Sequence, residues 1–94
     1  MSMINNLPQT DFSVFRQLII ECLKKSGGKA SRQKVLAFIE NKLSEHFLPG
    51  DLVWRNGTCE EAWRNNASWV RQKLVNEGFI DNNAPRGIWK LATN

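Results

Sequence analysis

Cysteine and histidine are scarce in this chain: two cysteines, Cys22 and Cys59, and a single histidine, His46. Two cysteines make no disulfide framework. With one histidine and two scattered cysteines, a four-ligand zinc site is out of reach. A cysteine nucleophile is equally unsupported, because Cys22 falls on an apolar stripe and Cys59 has no histidine near it in sequence. Neither a metal nor a cofactor is expected. No apolar run is long enough to cross a membrane, and the opening MSMINNLPQT does not read as a signal peptide. The expectation is a soluble, cytoplasmic protein, in which the glycosylation triplets Asn56-Gly57-Thr58 and Asn66-Ala67-Ser68 are chance matches. Tyrosine is absent altogether, and that absence excludes nothing.

What is present suits one small domain. Ninety-four residues support a single compact core, and four tryptophans and five phenylalanines supply bulky material for it. Thirteen basic and nine acidic side chains leave a net charge of +4. That balance favours an anionic partner, most commonly nucleic acid, although charge of this size also serves solubility.

Periodicity divides the chain into three helices and a terminal hairpin. Residues 1–9 are polar, contain Pro8 and read as a flexible arm, with a folded domain over 10–94. Thr10 or Asp11 supplies a cap for a first helix over 11–25, with an apolar stripe at Phe12, Phe15, Ile19, Cys22 and Leu23. Lys29-Ala30 holds a short extended step. Ser31 then caps a second helix over 32–46, with Val35, Leu36, Ile39, Leu43 and Phe47 on its buried side. Residues 48–58 form a loop with turn signals at Pro49-Gly50 and Asn56-Gly57, and Trp54 in it is either a packed anchor or a working residue. A third helix is predicted over 59–77, with Thr58 at its start, Glu60 and Glu61 in its first turn, and Trp63, Ala67, Val70 and Leu74 facing inward. Phe79-Ile80 and Ile88–Leu91 flank the turn-rich Asp81–Gly87 and predict a β-hairpin. The predicted fold is α+β, a winged helix-turn-helix with three helices followed by a C-terminal hairpin wing.

The run Trp63–Leu74, then Glu77-Gly78-Phe79-Ile80, then Pro85–Leu91, resembles the N-terminal winged-helix domain of Mrr-type restriction proteins. Asn65, Trp69, Leu74, Gly78, Arg86, Gly87 and Trp89 match that family's pattern in order. The resemblance spans residues 11–92 and implies a winged helix that recognises DNA, usually beside a nuclease. The chain carries no nuclease core: Glu40-Asn41-Lys42 has the letters of a Glu-x-Lys motif but sits mid-helix, where its carboxylate converges with no other. It is expected to be no enzyme. A nuclease domain or subunit, and a second copy of the chain, are both open as partners.

For a DNA reader, the third helix belongs in the major groove. With its apolar residues inward, rotation by about 100° per residue puts Asn65, Ser68, Gln72 and Glu61 outward. Asn65 and Gln72 are the base-reading candidates, because an amide offers adenine one donor and one acceptor. Arg64 and Arg71 on the flanks suit phosphate, as do Lys29, Arg32 and Lys34 at the start of the second helix. At the wing tip Arg86 is the leading contact, with Asn82 and Asn83 either touching DNA or only making the turn. Trp63 and Trp89 belong to the core. Trp69 is either buried under the wing or part of a base-contacting surface. Trp54 and Trp69 are alternatively core or a pocket for a modified or flipped base. The competing reading is a protein-docking module of the same fold.

Overall fold

A computed structural model describes residues 7–54 and 60–92 of the protein. Helix α1 spans Phe12–Lys25. Of its two candidate caps, Asp11 takes the role, its carboxylate accepting from the Ser13 N–H at 2.8 Å. That hydrogen bond favours the charged form and holds the Asp11 carboxyl below its ordinary value of 3.8. Phe15, Ile19, Cys22 and Leu23 form the buried stripe. Phe12, expected within it, is instead exposed at the helix mouth, edge-on to Phe15 at 6.5 Å.

The extended step after α1 is strand β1, Lys29–Ser31. Ser31 then caps α2, Arg32–Leu43, its hydroxyl accepting from the Lys34 N–H at 3.1 Å. Val35, Leu36 and Ile39 are buried, while Leu43 and Phe47 pack half-buried against the core. The helix ends before the predicted residue 46. Residues 44–46 form a turn in which the N–H groups of His46 and Phe47 both return to the Leu43 carbonyl.

The loop after α2 contains a 3₁₀ turn, Pro49–Leu52, built around a buried carboxylate. Asp51 is fully buried and accepts from the Leu48 N–H at 2.9 Å, the Thr10 N–H at 2.8 Å and the Thr10 hydroxyl at 2.5 Å. Gly50 donates its N–H to the Pro8 carbonyl at 2.8 Å. The Asn66 side-chain amide donates to the Gln9 side chain at 2.9 Å. Residues 7–9, read as part of a flexible arm, are therefore strapped between the 3₁₀ turn and the third helix. Glycine at 50 permits this approach, since a Cβ there would lie 2.5 Å from the Pro8 carbonyl oxygen.

Helix α3 runs Ala62–Asn76. It starts later than predicted: Glu61 is the capping residue and Glu60 precedes the helix. The expected start at Thr58 and the turn at Asn56-Gly57 lie outside the described residues. Trp63, Ala67, Val70 and Leu74 are buried as predicted, and Trp63 lies 5.0 Å from the Phe47 ring. Asn66 joins them at 3 % exposure. A buried amide needs partners, and the Gln9 side chain supplies one.

The C-terminal hairpin exists in a reduced form. Ile80 meets Leu91 in a single antiparallel bridge, supported by the Asp81 N–H to the Lys90 carbonyl and the Ala92 N–H to the Phe79 carbonyl. Strand β2, Ile88–Lys90, makes its longer pairing with β1, antiparallel in the register Lys29 to Lys90, Ala30 to Trp89 and Ser31 to Ile88. The turn-forming stretch 81–87 takes up most of what an outgoing strand would need, and the other edge of β2 pairs with a strand far away in sequence. Ala30 and Trp89 point into the core, closing it beneath the helices. The result is a small α+β fold of three α-helices and a two-stranded antiparallel sheet, with α1 packed on both α2 and α3.

Candidate nucleic-acid interface

Helix α3 buries one arc and leaves the other polar. Asn65, Ser68 and Gln72 are each half-buried on that outer arc. Gln72 donates to the Asn76 side chain at 3.2 Å, one turn along the same face. The Ser68 hydroxyl donates to the Arg64 carbonyl at 3.2 Å and accepts from Arg32 at 3.3 Å. Glu61, counted among the outward residues, turns its carboxylate to the Trp63 indole N–H at 3.3 Å.

On one flank of this arc, α3 faces the 81–87 turn across a cleft of about 420 Å³. Arg32, Arg71, Asn82 and Arg86 line it, with Ile88 and Trp89 among its apolar neighbours. Gly87 shapes the near edge. Its φ of +83° suits glycine, and its carbonyl accepts the Arg32 N–H at 2.8 Å, bringing the turn against the start of α2. Arg71 contributes a buried Nε–H that has no hydrogen-bond partner among the described residues. Arg86 is exposed. Arg32 is not the open phosphate contact its position suggested, because its guanidinium is paired with Glu60 at 2.8 Å.

On the other side of the same turn lies a second depression of about 380 Å³, bordered by Lys29, Lys90, Asp81 and Asn83. Lys29 and Lys90 are direct cross-strand partners. Hydrogen bonds run from the Leu91 N–H to the Gly28 carbonyl and from the Arg32 N–H to the Gly87 carbonyl. This places the two lysines in the more closely spaced, non-hydrogen-bonded kind of pair. Like charges so placed repel each other by up to about 1 kcal/mol. Asn83 serves the turn: its N–H donates to the Asp81 carboxylate at 2.8 Å, while Asn82 and Asn83 themselves are exposed.

The ion pairs elsewhere sharpen this asymmetry. Arg16, Lys25, Arg32, Lys42 and Arg64 pair with Glu77, Glu21, Glu60, Glu21 and Glu40. Arg64, expected to face phosphate, therefore holds Glu40 at 3.6 Å and lies over the Trp63 ring at 4.7 Å. Lys73 lies over Phe12. Among the described residues, the basic side chains in no ion pair and over no ring are Lys24, Lys29, Lys34, Arg71, Arg86 and Lys90. Four of these, Lys29, Arg71, Arg86 and Lys90, border the 81–87 turn. Lys34 lies apart from them, beside Phe38 and Asn41.

The tryptophans divide. Trp63 and Trp89 are buried. Trp69 is 59 % exposed, so burial under the turn is ruled out as its role. Its position on α3 rotates it toward the flank opposite Arg71. Trp54 is 64 % exposed, its backbone bridged to Glu61 just before α3. Lys90 and Glu60 are the site residues that sequence reasoning missed. Lys90 needed knowledge of the β1–β2 register. Glu60 was assigned to the first turn of a helix that in fact begins beyond it.

These features define a small α+β domain compatible with a winged helix. No family model, curated protein or solved structure matches the chain. Among the described residues, no helix is long and apolar enough to cross a membrane. No group of three or more histidines, cysteines and carboxylates is placed to hold a metal ion among those residues either.

Proposed function

We propose that the protein is a winged-helix DNA-binding domain, with α3 in the major groove and the 81–87 turn, its wing, on the backbone. The observation that carries the reading is the collection of Lys29, Arg71, Arg86 and Lys90 around one turn, beside the polar arc of α3. A major groove admits a helix, and α3 at 15 residues is about 22 Å long. Asn65 and Gln72 then present amides to base edges, while the basic side chains fix register on phosphate. The reading is of a binding domain and assigns no reaction. The Mrr-type resemblance adds a nuclease domain or subunit as the partner to look for.

The test is binding to short duplexes, unmodified and adenine-methylated, over a series of salt concentrations. The expected result is affinity at low salt that falls steeply on every duplex. Four neutralised phosphates give a log–log slope of about −3 to −4. Arg86→Ala should make the slope shallower by about one, uniformly across sequences. A preference for the methylated duplex would bring the exposed Trp54 and Trp69 into the reading surface. Absence of binding at low salt would overturn the proposal. It would favour docking to a protein, a reading supported by the exposed apolar stretch Leu48, Leu52 and Trp54.

A further inference from the structure

We infer that the cleft between α3 and the wing is a seat for one phosphate group, anchored by Arg71, and that Glu60 competes for it from inside the protein. The inference deepens the DNA reading and rests on it for the source of the phosphate. Arg71 is the first reason. Its Nε–H is buried without a partner among the described residues, and a buried donor left unpaired is costly. Arg71 is also one of the residues that line the cleft, so a small turn of its guanidinium would offer that donor to an anion there. Arg86 stands on the wing side of the same cleft, in no ion pair among the described residues. Together the two present planar guanidinium groups suited to the paired oxygens of a phosphate.

The third arginine of the lining is already held by a carboxylate. Arg32 holds the Glu60 carboxylate at 2.8 Å and the Ser68 hydroxyl at 3.3 Å. Glu60 is thus an internal carboxylate held by one of the residues that line the cleft. A phosphate seated on Arg71 and Arg86 would be repelled by it and would draw Arg32 away from it. Apolar Ile88 and Trp89 line part of the cleft, so charge there is less screened than on an open surface. Asp81, the acid of the wing turn, borders the depression on the opposite side.

The experiment follows the Arg71 Nε–H resonance in nitrogen-labelled protein, titrated separately with inorganic phosphate and with a short duplex. Duplex affinity is measured alongside for wild type, Arg71→Lys and Glu60→Gln. Lysine keeps the charge and loses the fork. The expected result is an Arg71 Nε–H that shifts with both probes. Arg71→Lys should weaken duplex binding about tenfold or more. Glu60→Gln should strengthen it about two- to fivefold. An Arg71 resonance that stays fixed while the duplex binds overturns the seat and leaves the DNA reading standing. A resonance that moves with phosphate in a protein that binds no duplex supports the seat, makes free phosphate its source and overturns the DNA reading. A Glu60→Gln variant that binds duplex no better than wild type overturns the competition. Should Arg71→Lys fold poorly, the wild-type resonance decides alone.

Discussion

Asp51→Asn keeps the size of a fully buried side chain and exchanges one of its acceptor oxygens for a donor. Oδ1 accepts the Thr10 N–H, and Oδ2 accepts the Leu48 N–H and the Thr10 hydroxyl. An asparagine can be turned either way, but its NH₂ must then face one of two backbone N–H groups. The Thr10 hydroxyl can rotate to accept from it; a backbone N–H cannot. One buried donor is left without a partner, at about 1–3 kcal/mol, and the bonds that survive lose their charge assistance. The expected total is about 2–4 kcal/mol. In a domain of this size each kcal/mol lowers the melting midpoint by about 4–8 °C, so a drop of roughly 8–32 °C is expected. Thermal and urea unfolding, followed by tryptophan fluorescence and circular dichroism, measure it. Thr10→Val removes only the hydroxyl bond and should cost about 1–2 kcal/mol. The double variant should cost less than the two singles together, because both act on one network. An Asp51→Asn loss below about 0.5 kcal/mol, the range of ordinary surface substitutions, would refute the claim that this carboxylate holds the 7–10 strap.

The other predictions concern the same end of the molecule. Gly50→Ala places a Cβ against the carbonyl oxygens of Pro8 and Leu7, at 2.5 and 2.8 Å, neither of which can rotate away. It should cost about 1–3 kcal/mol and speed hydrogen exchange at the residue-50 amide, which now bonds Pro8. Asp11 is held below 3.8, chiefly by the Ser13 backbone N–H. A lowered carboxyl gives stability that is present above its unfolded value and lost as pH falls through the folded one. The acid limb of an Asp11→Asn stability curve should therefore be flatter than that of wild type below pH 3.8. Glu21, lowered chiefly by its hydrogen bond to Lys25, acts with the same sign from 4.5 downward and remains in both proteins.

The helical framework was largely legible because its signals are local. A cap at Asp11 or Thr10, a second at Ser31, and apolar spacings of three and four are written within single segments. The inward arc of α3 followed from four residues, Trp63, Ala67, Val70 and Leu74, all buried. What escaped was decided at a distance. The β1–β2 pairing joins two strands of three residues, too short to carry a pattern. Asn66 was assigned to neither face of α3, and the partner that its buried amide finds, Gln9, is fifty-seven positions away. Arg32 and Arg64 looked like open cations, and their partners Glu60 and Glu40 approach from other elements. The cleft itself needs α2, α3 and the 81–87 turn together, so no single segment announces it.

The pairing of β2 with β1 also has a meaning for how the chain is made. A polypeptide leaves the ribosome from its N-terminal end, and β1 emerges early, between the first two helices. Its partner comes near the close of the described chain, after all three helices have been synthesised. Until then the edge of β1 is unpaired, and the core lacks Trp89 opposite Ala30. A nascent chain paused before residue 88 would hold three helices over an open floor, exposing the kind of unpaired strand edge that other chains can join. Pairing of the last strand thus closes both the open edge of β1 and the floor of the core.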